Sequence, residues 1–149
     1  MSPMDDLSLD GRCRLAYTNE MAKILVIDDE QAILDLLGLC LREAGHEVVA
    51  AMDGDTGPVI ASCEKPDLII LDYSMPGANG VVVHEQLRGN ASMASTPIIF
   101  LTATPIGEII NQVKDDNCTR FLQKPLDFAM LSKTIASLLG GSAPPAAAR

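Results

Sequence analysis

The chain has 149 residues, 48% of them hydrophobic, only 3% aromatic and none tryptophan, so one domain with an aliphatic core is expected. It carries 11 basic against 20 acidic side chains, a formal net charge of -9, which repels phosphate backbones and excludes the bulk surface as a direct nucleic-acid binder. No apolar stretch reaches the ~18 residues of a membrane span, so no membrane insertion is expected.

Residues 1–20 are polar and aperiodic, and lack the apolar core of a signal peptide. They are expected to be a disordered N-terminal extension, with Met21 as an alternative translation start. The domain is placed at 21–140, and the Gly/Pro/Ala-rich "GGSAPPAAAR" leaves 141–149 as a flexible tail or linker stub.

Between these ends, short aliphatic runs alternate with amphipathic segments. "AKILVI" (22–27), "HEVVAA" (46–51), "DLIILD" (67–72), "PIIFLT" (97–102) and "RFLQK" (120–124) are the predicted strands. Three of them are apolar on successive residues, as strands covered on both faces should be. Ile33, Leu36, Leu37, Cys40, Leu41 and Ala44 follow helical spacing and predict a first helix that Gly45 ends. Further helices are predicted over 55–63, 81–89, 106–116 and 127–139. In the last, Asp127 is placed to cap the N-terminus, and Leu131, Ile135 and Leu138 to supply the core stripe. Five β-α units with short connections predict an α/β fold, a parallel sheet with helices on both faces.

Cys13, Cys40, Cys63 and Cys118 form no CxxC pair and no zinc-like spacing, so reduced thiols in a cytoplasmic protein are expected.

In parallel α/β sheets the functional crevice lies beyond the carboxyl ends of the strands. Those ends here carry Asp28 and Asp29, Asp72, Thr102, and Lys124 followed by Pro125. One pair of unit charges 4 Å apart interacts by about 4 kcal/mol at an effective dielectric near 20. Three carboxylates on one rim therefore repel more than one lysine offsets. A hard divalent cation would, and oxygen-only ligands favour Mg²⁺. Single aspartates at strand ends are as often ordinary solvated acids or, for Asp29, a helix cap. A carboxylate nucleophile, a metal, a lysine and a threonine hydroxyl together suggest phosphoryl transfer. There is no Gly-rich phosphate cradle, so the phosphoryl donor is not expected to be a nucleotide bound by this chain.

"ILVIDDE", "LIILDYSMPGANG", "IIFLTA" and "FLQKP" resemble, in order and spacing, the four signatures of the response-regulator receiver domain of two-component signalling. The resemblance covers residues 22–140. It implies a flavodoxin-like (βα)5 fold with strand order 2-1-3-4-5. It also implies that Asp72 accepts a phosphoryl group from a phosphohistidine on a sensor kinase or histidine phosphotransfer protein. Asp29 and Asp72 would bind Mg²⁺ directly, Asp28 largely through water, and the backbone carbonyl of Ser74 would be a further ligand. Thr102 would bond a phosphoryl oxygen and move toward it, and Lys124 would pair with the same group, with Lys124–Pro125 cis. Ala103 would leave room for the donor, and Ser74 and Thr104 would flank the path of attacking water. In "MPGANG", Pro76 would fix φ while Gly77 and Gly80 allow unusual backbone angles. Phe121 stands where the family has a swinging aromatic, with a plain core aromatic on strand five as the alternative. A downstream protein would dock on the face of helix four, strand five and helix five; homodimerisation is left open.

The chain departs from the family after Thr102, where "ATPIGEIINQVKDDNCT" lacks the usual Ala-Gly-Ala stretch and places Pro105 at the first turn of helix four. The pitch of that helix is left open. An alternative reading is a Mg²⁺-dependent phosphohydrolase with an aspartyl nucleophile, but that chemistry wants an acid where Ser74 stands. A receiver-like interaction domain that is never phosphorylated is a further alternative, disfavoured by the complete set of Asp28, Asp29, Asp72, Thr102 and Lys124. A flavin-binding protein of the same topology is disfavoured because "DDEQ" would repel a phosphate.

Overall fold

A computed structural model describes residues 21–75, 78–113 and 116–140. The expectations for residues 1–20, for 141–149, for Cys13, and for Pro76 and Gly77 lie outside the described residues.

Five strands form one parallel sheet: β1 (Lys23–Ile27), β2 (Glu47–Ala51), β3 (Leu68–Asp72), β4 (Ile98–Thr102) and β5 (Thr119–Gln123). Their spatial order is β2-β1-β3-β4-β5. Each predicted strand lies within a residue of the observed one. The chain leaves β1 for β2 on one side and returns past β1 to β3 on the other, so the topological switch point falls between β1 and β3.

The helices are α1 (Gln31–Glu43), α2 (Thr56–Glu64), α3 (Gly80–Arg88), α4 (Ile106–Ile109) and α5 (Phe128–Gly140). Alternation along the strands divides the core. Leu25, Ile27, Ile69, Leu71, Ile98 and Phe100 face Ala61 of α2 and Val83 and Leu87 of α3. Ile24, Val26, Leu68, Ile70, Ile99 and Leu101 face Leu34, Leu37 and Leu41 of α1 and Leu131 and Ile135 of α5. Because both faces are covered, β3 and β4 are buried at every residue, which is why their sequences do not alternate.

Asp127 Oδ1 accepts from the amides of Ala129 (2.9 Å) and Met130 (3.2 Å), capping α5 as predicted. Gly45, at φ +99°, takes the left-handed conformation that ends α1. Gly80 is needed for space and not for an unusual angle, since its φ lies outside the left-handed range. A Cβ there would stand 2.7 Å from Phe100 Cε1 and 2.9 Å from the carbonyl oxygen of Asp72.

Two further expectations fail. In α1 the buried column is Leu34, Leu37, Gly38 and Leu41, while Leu36 is 44% exposed and Ala44 is also exposed. The helix is apolar on adjacent columns, so periodicity alone does not choose between them, and the sheet takes the column containing Leu34. The fourth helix does not run over 106–116: α4 has 4 residues and is followed by a 3-10 turn at Ile110–Gln112. Gly107, the β-branched isoleucines at 106, 109 and 110, and Asn111 all weaken an α-helix. Val113 then turns extended (φ -106°, ψ 132°) and buries its side chain in the core.

Candidate functional site

Each side chain of the rim is delivered by an apolar strand. Ile24 to Ile27 are essentially inaccessible and hold Asp28 at the end of β1, its amide bonded to the carbonyl of Ala51 at 3.1 Å. β3, equally buried, ends in Asp72. β4 ends in Thr102, and the amide of Lys124 bonds the Thr102 carbonyl at 2.7 Å, which registers the lysine against the threonine. The Lys124–Pro125 peptide bond is cis. After β3, Ser74–Met75 pairs with Ala78–Asn79 in a two-residue antiparallel ladder that turns the chain into α3. Asn79 Oδ1 caps that helix by accepting from the amide of Val82 at 3.1 Å.

One carboxylate oxygen from each of Asp28, Asp29 and Asp72 lies within 4.8 Å of the others. Asp28 is 1% exposed and Asp72 4%. Lys124 Nζ stands 3.4 Å from Asp72 Oδ1, 3.7 Å from Asp28 Oδ2 and 3.6 Å from Glu30 Oε1. Asp28 Oδ1 accepts from the amide of Glu30 at 2.9 Å. Asp28 Oδ2, buried, has no hydrogen-bond partner among the described residues. Asp72 Oδ1 accepts from the amide of Ser74 at 3.4 Å.

Burial, then the charge of Asp28, pushes the Asp72 carboxyl up to about 6, with Lys124 only partly offsetting them. Burial also raises Asp28 above the usual carboxylate range. Burial alone would lower Lys124, but the charges of Asp72 and Asp28 outweigh it and raise the ammonium above its ordinary value. The metal-free rim is thus electrostatically short of positive charge. A buried carboxylate oxygen without a hydrogen bond, beside two further carboxylates, is a donor set that fits a hard divalent cation.

Thr102 is 1% exposed, and its hydroxyl is occupied. It donates to the carbonyl of Thr104 at 3.1 Å and accepts from the Thr104 amide at 2.9 Å. Ala103 between them is exposed, leaving this part of the rim open. Phe121 is half-buried and lies parallel to Phe100, ring centroids 5.3 Å apart and planes at 6°. Phe100 in turn meets Tyr73 edge-on and the His84 ring at a tilt of 32°.

The structure therefore brings together Asp28, Asp29, Asp72 and Lys124, with Thr102 on the neighbouring strand end, while Phe121 stacks on Phe100 further along β5. Three contributors escaped the sequence reading. Glu30 adds a third acidic neighbour to Lys124; its place beside the Asp28–Asp29 pair was the available signal. Gln123 holds the loop after β4, and only its position before Lys124 hinted at that. His84 and Arg88 of α3 form the third contributor, anchoring the start of β5. Arg88 Nε bonds Asp116 Oδ2 at 3.0 Å, and His84 Nε2 meets Thr119 Oγ1 at 3.1 Å. Hydrogen bonds from Arg88 and Thr119 outweigh burial and bring Asp116 down to about 2, while burial lowers His84. Arg88 lies 28 residues before Asp116 and His84 lies 35 before Thr119, so no local pattern announces the cluster.

Comparison with known proteins gives one answer. Residues 24–136 match the model of the response regulator receiver domain. Protein PilH of Pseudomonas aeruginosa is 35% identical over 121 residues, which cover 81% of this chain and 100% of PilH. The DNA-binding dual master transcriptional regulator RpaA of Synechocystis is 37% identical over 121 residues, 80% of this chain, which spans only 49% of RpaA. The chemotaxis protein CheY4 of Vibrio cholerae superimposes with a TM-score of 0.75 at 33% identity, over 80% of this chain and 99% of that one. Five parallel strands in the observed order, an acidic cluster at the switch point and this match converge: the chain belongs to the response regulator receiver domain family.

Proposed function

We propose that this receiver takes a phosphoryl group on Asp72, with Mg²⁺ bound at the acidic rim, and that phosphorylation changes the face formed by α4, β5 and α5. The observation that carries the reading is the meeting of Asp28, Asp29, Asp72 and Lys124 at the switch point, with one buried acidic oxygen lacking a hydrogen bond.

The donor is a phosphohistidine of a sensor kinase or histidine phosphotransfer protein. An Asp72 carboxylate oxygen attacks phosphorus and forms the new P–O bond. The P–N bond breaks, and its electron pair leaves on the imidazole nitrogen, which takes up a proton. Asp29 and Asp72 would hold the metal directly, Asp28 largely through water, and the Ser74 carbonyl would complete the protein's ligands. Bound there, Mg²⁺ would offset the crowded carboxylates and neutralise charge on the transferring oxygens. Lys124 is already within ion-pair distance of Asp72 and would hold a second phosphoryl oxygen. Thr102 would donate its hydroxyl to a third. Ser74 and Thr104 would border the path of hydrolytic water.

Movement of Thr102 would be felt by Phe121, whose ring lies at the edge of the core, and so by a downstream protein docked on the α4-β5-α5 face. The protein is in this reading a signalling switch that catalyses only its own phosphorylation and dephosphorylation. Net charge -9 argues against direct contact with nucleic acid. No helix among the described residues is long and apolar enough to cross a membrane.

Acetyl phosphate with Mg²⁺, followed by intact mass, tests the reading. A single phosphoryl adduct that disappears in Asp72→Asn is the expected result. An adduct that persists in that variant, or none with either acetyl phosphate or a cognate kinase, would overturn it.

A further inference from the structure

The loop leaving β4 is held shut by a side chain to which the phosphorylation chemistry assigns no part. Gln123 Nε2 donates to the carbonyl of Thr102 at 3.2 Å and to the carbonyl of Thr104 at 3.0 Å. Both partners are carbonyls, which accept only, so the amide nitrogen must face them and both its hydrogens are used. The same two threonines close on each other through the Thr102 hydroxyl, which gives its single hydrogen to the Thr104 carbonyl and accepts from the Thr104 amide. Residues 102–104 are thus a closed turn pinned to the last residue of β5, next to Lys124.

That arrangement conflicts with the role proposed for Thr102. A phosphoryl oxygen only accepts hydrogen bonds, and the hydroxyl has one hydrogen to give. To bond the phosphoryl group, Thr102 must release the Thr104 carbonyl. As it turns, the Thr104 amide loses its acceptor as well and must move to find another. The Gln123 amide resists that movement because it holds the Thr104 carbonyl in place.

We propose that Gln123 is a positioning residue, a latch that keeps the Thr102 hydroxyl turned to Thr104 until Asp72 is phosphorylated. The inference rests on the phosphorylation reading above and adds to it a cost that this chain's own glutamine imposes on the switch. Gln123 touches neither Asp72 nor the transferred group. It acts by favouring the unphosphorylated arrangement of the loop, so its loss shifts the population toward the arrangement that receives phosphate. Gln123 is exposed, so exchanging it leaves the core untouched.

The test compares full-length Gln123→Leu with the unsubstituted chain, using acetyl phosphate, Mg²⁺ and intact mass against time. Leucine keeps the approximate bulk and removes the donors. Two neutral hydrogen bonds at a partly solvated loop correspond to labelling faster by about three- to tenfold. The same substitution made in a Thr102→Ala background separates a latch on the hydroxyl from general loosening. There the acceleration should vanish, because no hydroxyl remains to be released. An unchanged or slower rate in Gln123→Leu overturns the latch, and so does an equal acceleration with and without the Thr102 hydroxyl. If the unsubstituted chain takes no phosphate on Asp72, the phosphorylation reading fails first and the latch falls with it. Normal labelling of Asp72 with no effect of Gln123→Leu removes the latch alone.

Discussion

The two ends of the sheet carry similar side chains and do opposite things with them. At the amino end, Lys23 Nζ lies 3.0 Å from Glu64 Oε1 and 4.0 Å from Glu47 Oε2, and the Lys23 amide bonds Asp67 at 2.8 Å. These side chains are partly exposed to water, and the hydrogen bond that Lys23 donates to Glu64 leads the raising of the lysine. At the carboxyl end, Asp28 and Asp72 are buried with Asp29 and Glu30 beside them, and among the described residues Lys124 is the cation that faces the group. The difference lies in solvent and geometry, because the residue types are the same. At the carboxyl end, Asp28 and Asp72 follow directly on fully buried strand residues, which keeps their carboxylates out of water.

Substitutions at the two ends should sharpen that contrast. The largest effect belongs to the metal and the lysine. Chelation by EDTA is expected to abolish labelling of Asp72 by acetyl phosphate, and undiminished labelling would remove the metal from the mechanism. Lys124→Met should slow labelling about 100-fold or more, the usual range for losing one aimed positive group.

Next comes pH. The Asp72 carboxyl ionises near 6 in the metal-free folded protein, against an ordinary value of 3.8. Between those values the folded state binds more protons than the unfolded chain, so stability falls as pH rises through this window. Unfolding free energies from urea titrations in EDTA should therefore decline from about pH 4 to about pH 6.5, by on the order of 2 kcal/mol. Asp72→Asn should flatten that decline, and a slope shared by both proteins would place its origin elsewhere.

A smaller effect is expected from Asp28→Asn, which removes one buried charge and keeps the acceptor for the Glu30 amide. Without metal it should raise stability by about 1 kcal/mol while lowering affinity for Mg²⁺. Thermal melts with and without the ion would read both, and a destabilised metal-free variant would contradict the account of the rim as strained. Smallest of all is Lys23→Met at the opposite end. Its ion pairs are solvated, so little change in the melting midpoint and none in the labelling rate should follow. A clear loss of labelling there would mean that the two ends are coupled.

Much of the site was legible because the chemistry is attached to strands whose apolar runs are unmistakable. "ILVI" before Asp28 and "LIIL" before Asp72 are buried on both faces, so their ends are easy to locate and their terminal carboxylates must emerge at one edge. The exposed elements were less legible. In α1 two neighbouring apolar columns compete, and only contact with Ile24, Val26 and Ile70 selects Leu34, Leu37 and Leu41. At α4 the sequence carries enough isoleucine to suggest a longer helix, yet weak propensity and the burial of Val113 stop it early. Gly80 resembled a turn glycine and proved to be a gap left for Phe100.

From sequence alone, the alternation of aliphatic strands with amphipathic helices dictated a parallel sheet, and the residues ending those strands dictated an acidic rim with one lysine. Both follow from local pattern, because burial on two faces and the carboxyl-end rule need no knowledge of distant contacts. Only the tertiary structure decided how the rim is wired: that Asp28 Oδ2 has no hydrogen bond and only the Lys124 ammonium 3.7 Å away, that Lys124 is shared with Glu30, and that the Thr102 hydroxyl is closed onto Thr104 under the Gln123 amide. Those facts depend on ångström-scale separations between residues far apart in the chain, which the spacing of residue types along a sequence does not encode.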